Sequence, residues 1–305
     1  MLILMTGAAG WIGRRLAAAL AREGHNVIGC TRNLNAAWTD FPQRFWIEAD
    51  LNRDIDARAW RPRLYGVDAV INCAGMLRET AGNTFEGVHA LGPCALFEAC
   101  KRARIKRVIQ FSVAGTESRA RSHFIASKRH ADNYLENLDL DWTVLAAAPV
   151  FDTESPLSKA LIALAHLPCV PLIDTRGARI APIHIEDVTH AVVQLLKPDA
   201  PMRTRVPLVG PHAMSLSDYV ARLRRASGLG EPRFLALPNR LATATADAVD
   251  LASAGFPGRE LLALMRTDML GDPAAVTELL GRAPRAVEDF VVAPRRPTAP
   301  AELIA

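Results

Sequence analysis

The first thirteen residues constrain the fold more than any other part of the chain. Met1-Leu2-Ile3-Leu4-Met5 is a short apolar run. Thr6-Gly7-Ala8-Ala9-Gly10-Trp11-Ile12-Gly13 follows it directly, with a glycine at every third position from Gly7. The next stretch, Trp11–Glu23, repeats Ile12, Leu16, Ala19 and Leu20 on one helical face and stops at Gly24, a residue suited to a left-handed cap. A strand, a glycine turn and a helix in this order give each glycine its own task. Gly7 permits the tight turn, Gly10 lets the backbone approach a diphosphate, and Gly13 lets the helix pack closely on the sheet. The helix start then presents unpaired N–H groups and the positive end of its dipole.

The same alternation runs on through the first half. Strands are expected over Asn26–Cys30, Arg44–Ala49, Ala69–Cys73, Arg107–Ser112 and Asp141–Ala147, with helices over Thr84–Ala103 and Phe124–Leu138. Pro93 should disturb the first of these helices, because proline cannot donate the helical hydrogen bond. Beyond residue 150 prolines become frequent. Short strands (Arg179–Ile183, Val206–Val209) alternate there with helices over Ile185–Leu196, Pro238–Ser253, Gly258–Met269 and Pro273–Leu280. Ser215-Leu216-Ser217-Asp218 reads as a capping box opening a helix to Ala226. The fold class is therefore α/β: a Rossmann doubly wound parallel sheet with a smaller C-terminal α/β substrate-type subdomain. The expected division is a dinucleotide-binding domain over 1–150 and a subdomain over 151–293 that partly returns strands and helices to the Rossmann sheet. A proline-rich mobile tail over 294–305 completes it.

Composition enters as a set of exclusions. With 305 residues, 50% hydrophobic and 22% charged, the chain can bury a large core and is not of disordered type. The net charge of +4 is mild. Its densest basic run, Lys101 to Arg107, falls at a helix end, where cations suit the dipole, so nucleic acid is not expected as a partner. The five cysteines show no CxxC spacing, which argues for a reduced cytoplasmic protein without a metal site. The apolar stretch from Ala160 to Ile173 is broken by His166, Pro168 and Pro171 and cannot span a bilayer. His184 and Asp187, close together at a strand-to-helix junction, are expected to cap the helix and pack the two halves together, since no third metal ligand is near.

Cofactor choice is read at the end of the second strand. An acidic residue there would bond the ribose hydroxyls of NAD. Here the strand ends Gly29-Cys30-Thr31-Arg32-Asn33, and the Arg32 guanidinium suits a 2′-phosphate. NADP(H) is the expected dinucleotide, with NAD(H) as the alternative.

On these residues the chain resembles the short-chain dehydrogenase/reductase superfamily. It is most similar to the extended and atypical branches, which include NAD-dependent epimerases and dehydratases and the NADPH-binding accessory subunit of respiratory complex I with its bacterial relatives. Thr6 to Gly13 matches the TGxxGxxG turn. The resemblance implies that Asp50 and Leu51 contact adenine and that Cys73, Ala74 and Gly75 flank the adenosine ribose. It also places Pro149 in the segment near the nicotinamide, and Pro182 to Val188 matches a P-V-H-V-x-D-V stretch.

Phe124-Ile125-Ala126-Ser127-Lys128 matches the YxxSK signature everywhere but at its first residue. In active relatives the Tyr moves a proton, a Ser polarises the carbonyl, and an Asn supports a water relay. The corresponding positions here are Phe124, Val113 (with Ser112 one residue early) and His89, while Lys128 is retained. A phenyl ring cannot do acid–base work. Tyr134, ten residues further along the same helix, is about 15 Å away along the axis, too far to substitute.

Two functions are therefore expected from the sequence. One is a dinucleotide-binding sensor or assembly/scaffold protein acting with a small molecule or protein partner. The other is an NAD(P)H-dependent oxidoreductase or epimerase-like enzyme with a relocated proton donor, Lys128 or His89, and Ser112 as a third candidate catalytic group. The resemblance also implies a homodimer packed through Thr84–Ala103 and Phe124–Leu138.

Overall fold

The computed structural model describes residues 1–42, 44–116, 122–252 and 258–291. The expected tail over 294–305 and the last residue of the expected helix Pro238–Ser253 lie outside the described residues. In chain order the first half runs β1 (Leu2–Thr6), α1 (Trp11–Arg22), β2 (Asn26–Thr31), α2 (Leu34–Asp40), β3 (Phe45–Glu48), α3 (Ala57–Trp60), β4 (Ala69–Asn72), α4 (Gly92–Ala103), β5 (Arg107–Val113), α5 (His123–Glu136) and β6 (Trp142–Ala147). The second half adds β7 (Val150–Phe151), α6 (Pro156–His166), β8 (Cys169–Ile173), β9 (Arg179–Ile180), β10 (Ile183–His184), α7 (Ile185–Leu195), β11 (Thr204–Leu208), β12 (Met214–Ser215), α8 (Leu216–Ala226), β13 (Arg233–Leu237), α9 (Asn239–Ala252), α10 (Arg259–Met265) and α11 (Ala274–Leu280).

Seven strands form one parallel sheet in the order β11-β6-β5-β4-β1-β2-β3. Its strands bury both faces, and the period of two sorts their side chains. Ile3, Met5, Ile71, Ile109 and Leu145 pack beneath α1, α7 and α11. Leu4, Val70, Val108 and Val144 face the opposite layer of α3, α4 and α5. A third core gathers Phe151, Leu161, Val170, Tyr219 and Leu223 from the second half, and Phe85 and Phe124 join it from the first.

The expected helix over Thr84–Ala103 is not one regular helix. Glu86–Leu91 is a π-helix that leads into α4. Pro93 has no N–H for the carbonyl one turn back and its ring crowds that turn, so the backbone widens before it. The single strand expected over Arg179–Ile183 is two short strands, β9 and β10, which pair with β12 and β7 respectively. Proline at 182 separates them. Ser215 does form the reciprocal capping box with Asp218 at the start of α8.

Candidate dinucleotide-binding site

The carboxyl ends of β1 and β4 and the start of α1 converge on the glycine turn. Gly7 has φ +67°, and a Cβ there would lie 2.6 Å from the Ala74 nitrogen. A Cβ on Gly13 would lie 2.2 Å from the Gly7 carbonyl oxygen, so helix and turn touch backbone to backbone. Gly10 differs from both. It caps α1 at an ordinary φ of −69° with no side-chain hydrogen bond, and a Cβ there would meet only the Gly7 oxygen, at 3.1 Å. The turn itself closes through the Gly10 N–H donating to the Gly7 carbonyl at 2.9 Å. Trp11 and Ile12 pack against the core beneath α1 while their N–H groups stand at its uncapped start. A diphosphate fits this arrangement: a bare backbone at Gly10, free donors, and a positive helix end.

Around this turn the other residues singled out from sequence form a rim. Thr6 is buried, and its hydroxyl bonds Asn72 across β1 and β4. Cys73 donates its N–H to the Thr6 carbonyl at 3.3 Å, and burial pushes its thiol up to about 12. Asp50 accepts the Asn52 N–H at 3.0 Å, beside buried Leu51. Arg32 is exposed just beyond β2 and donates to the Asn83 side-chain oxygen. Pro149 follows β6, and its carbonyl accepts the Ile183 N–H at 3.1 Å.

Phe124, His89 and Lys128 come together on α5 and the π-helix. Phe124 is buried and meets His89 edge-on at 5.2 Å, while Phe85 stacks on His89 at 5.4 Å. The Met76 N–H donates to His89 Nε2 at 3.0 Å. With Nε2 an acceptor, the ring hydrogen resides on Nδ1, which faces Ser127 Oγ at 3.1 Å, and that hydroxyl donates to the Phe124 carbonyl at 2.8 Å. Burial, and then the nearby Lys128 charge, hold the His89 pKa well below its usual value. Lys128 Nζ donates to the carbonyls of Ala74, at 2.9 Å, and Phe111, at 3.2 Å. Burial lowers its pKa to about 8, against a smaller opposing effect of Asp132. Gly75 lies between the two groups: a Cβ there would be 3.4 Å from Lys128 Nζ and 3.8 Å from His89 Nε2. Ser112 does not join this group, because its hydroxyl donates to the Asp132 carboxylate. His184 caps α7 by accepting the Glu186 N–H at 3.2 Å, and no group of His, Cys, Asp and Glu suited to a metal exists among the described residues.

The family described as NAD(P)H-binding matches residues 7–197. The chain belongs to that NAD(P)H-binding family. Among its relatives, the Photosystem II assembly factor Ycf39 of Synechocystis is 24% identical over 235 residues, covering 75% of this chain and 68% of that protein. The mitochondrial NADH-ubiquinone oxidoreductase 40 kDa subunit of Neurospora crassa is 25% identical over 220 residues, covering 70% of this chain and 56% of the subunit. A nucleoside-diphosphate-sugar epimerase from Staphylococcus aureus shares the fold with a TM-score of 0.74 at 20% identity, covering 96% of this chain and 100% of that one. The fold is thus that of the epimerase-like short-chain dehydrogenases/reductases.

This NAD(P)H-binding chain also carries a feature that sequence reasoning missed. Asn72 Nδ2 donates to Gln110 Oε1 at 2.6 Å, and Gln110 Nε2 donates to Asp132 Oδ1 at 3.3 Å. Together with the Thr6 and Ser112 hydroxyls they make a buried polar chain from the glycine turn to α5. Asp132 is fully buried, and burial raises its pKa despite hydrogen bonds from Ser112 and Gln110 and the nearby Arg205 charge. A signal was present in the strands: Thr6 and Asn72 are polar ends of apolar runs, Gln110 interrupts one, and the sheet register sets them side by side. Among the described residues no helix is long and apolar enough to cross a membrane.

Proposed function

We propose that the chain holds NADP(H) in preference to NAD(H) and acts as a dinucleotide-binding sensor or assembly subunit, its bound state read by a small molecule or protein partner. One observation carries the reading. A glycine turn shaped for a diphosphate sits beside a site whose proton-donor position is Phe124, a ring buried against Phe85 and His89. His89 supports it as well, being neutral with both ring nitrogens engaged. In this reading Lys128 acts in binding, with an ammonium aimed past Gly75 that can hold ribose hydroxyls and phosphate charge. The dinucleotide would supply hydride chemistry where a proton donor exists. The competing enzyme reading rests on Lys128, whose proton is brought near neutrality by burial. Two relatives point the same way as the binding reading, since one is named as an assembly factor and the other as a subunit of a larger oxidoreductase.

The test is a melting-temperature screen with NAD, NADH, NADP and NADPH, followed by a turnover assay. A dinucleotide at a hundred times its Kd adds about 2.7 kcal/mol, or roughly 5 °C for a chain of this size. Gly10→Val, whose Cβ presses on the Gly7 carbonyl oxygen at 3.1 Å but whose φ of −69° any residue adopts, should keep its circular-dichroism spectrum yet lose that shift. Lys128→Met should weaken the shift without abolishing it. If no dinucleotide raises the melting point, the binding claim fails. If hydride transfer to a small substrate exceeds about one turnover per second and Lys128→Met abolishes it, the enzyme reading replaces the sensor.

A further inference from the structure

The two-stranded sheet of β8 and β13 leaves one of its faces bare. Its register sets Arg233 beside Cys169, Leu235 beside Pro171 and Leu237 beside Ile173. These six residues share a face, because side chains alternate along a strand. None of the six is buried, and Leu235 is 56% exposed. The opposite face leans on the third core through Val170 and Leu172, yet Phe234 on that side is still 42% exposed. Leu241, in the first turn of α9, is 56% exposed as well. Apolar surface gathered in this way costs free energy in water and marks a contact surface.

The two ends of this sheet are basic. Arg233 is exposed at one end, and Glu231 beside it is already paired with Arg225 at 2.8 Å. At the other end Arg176, Arg240 and Arg266 stand around a single carboxylate, Asp174. That carboxylate accepts the Arg176 N–H at 2.8 Å and Asn239 Nδ2 at 3.2 Å. Arg266 donates to the Asp174 backbone carbonyl at 3.1 Å and to Asn239 Oδ1 at 2.8 Å, both neutral oxygens. Arg240 follows Asn239 and is exposed, while Asp247 further along α9 is taken by Arg259 at 2.5 Å.

This pattern selects among occupants. A second copy of the chain, docked face to face, would bring two basic rims together, where like charges repel. An added peptide strand would find a short edge, because Pro232 and Pro238 bracket β13. An anionic lipid surface answers both features: its phosphates accept from guanidinium groups, and the boundary of its acyl chains takes up leucine and phenylalanine side chains. We infer that the bare face of β8 and β13, with the start of α9, docks peripherally on an anionic phospholipid surface. Leu235 and Leu241 enter the headgroup boundary, and Arg233 and Arg240 meet lipid phosphates. The face shares no residue with the dinucleotide turn and does not depend on it.

Co-sedimentation of the full chain with phosphatidylcholine vesicles, with and without phosphatidylglycerol, tests the inference. Binding should require phosphatidylglycerol and fall as salt rises. Two double variants, Leu235→Ser with Leu241→Ser and Arg233→Gln with Arg240→Gln, should each bind about tenfold or more weakly. Both should melt at the parent temperature, since all four side chains are exposed. If the leucine pair lowers that temperature, the arginine pair and the salt series decide. A parent that ignores anionic vesicles, or binds neutral ones equally well, overturns the inference. So does binding that survives in the arginine variant or in a folded leucine variant, because another surface is then responsible. If the parent ignores vesicles but self-associates in analytical ultracentrifugation, and the leucine variant does not, the face joins two copies and the lipid reading is overturned.

Discussion

At the scale of single residues, His89, a candidate proton donor in the sequence, is buried in the fold and hydrogen-bonded through both ring nitrogens. Its place at the position of the family's Asn, with an imidazole that ordinarily titrates near neutrality, makes it a candidate donor. In the fold, Met76 and Ser127 take up both ring nitrogens. The sign of its pH effect follows from its lowered pKa. Below the ordinary value of 6.5 the unfolded chain takes up a proton that folded His89 refuses. Its contribution to stability is therefore complete above that value and is lost as pH falls towards the folded pKa. One pH unit below 6.5, this amounts to roughly 1.4 kcal/mol. Urea unfolding at pH 7.5 and 5.5 should show a larger drop for the parent than for His89→Gln. His25 and His184, whose pKa values are also lowered, contribute equally to both proteins. What was legible at this scale was backbone-dictated. Gly7 and Gly13 are required by contacts that any Cβ would violate, so their spacing carried the meaning. The Ser112–Asp132 bond was not legible, because it depends on α5 being laid across β5, a distance of 20 residues in sequence.

Elements were read best where one signal dominated. The capping box at Ser215 and the left-handed stop at Gly24 are local chemistry, and both are where the sequence puts them. By contrast, α2 and α6 escaped notice: α2 has only 7 residues, and α6 lies in an almost uniformly apolar stretch whose periodicity is hard to see. The strand β8 escaped for the opposite reason, since Pro171 sits within it. It is tolerated because β8 belongs to a sheet of only two strands. Packing between elements also depends on buried charge. Asp187, fully buried in the first turn of α7, accepts from Arg282 Nη2 at 2.5 Å and from the Arg285 N–H at 2.8 Å. These bonds hold the segment after α11 against α7. Asp187→Ala removes a buried acceptor from two donors and should lower unfolding free energy by about 2 kcal/mol. Chemical denaturation measures that loss, and limited proteolysis should then cut first between Arg282 and Val291.

For the molecule as a whole, the parallel sheet was legible through β6 because alternating strand and helix patterns admit few other layouts. The second half was less so, since its strands are two to five residues long and all but β11 are paired outside the main sheet. Its one large contribution is β11, which pairs with β6 from Thr204↔Thr143 to Leu208↔Ala147. A fragment ending at residue 150 would leave β6, buried along its whole length, as a bare edge. Such a fragment is expected to aggregate, while a fragment ending at residue 291 should remain monodisperse in size-exclusion chromatography.

The order of strands also sets a timetable. As the chain leaves the ribosome, the glycine turn emerges about 190 residues ahead of the strand that closes the sheet beyond β6. Over residues 148–203, between the end of β6 and the start of β11, the nascent protein must shield an apolar, hydrogen-bond-hungry border, which makes this border the natural place for a chaperone to hold on.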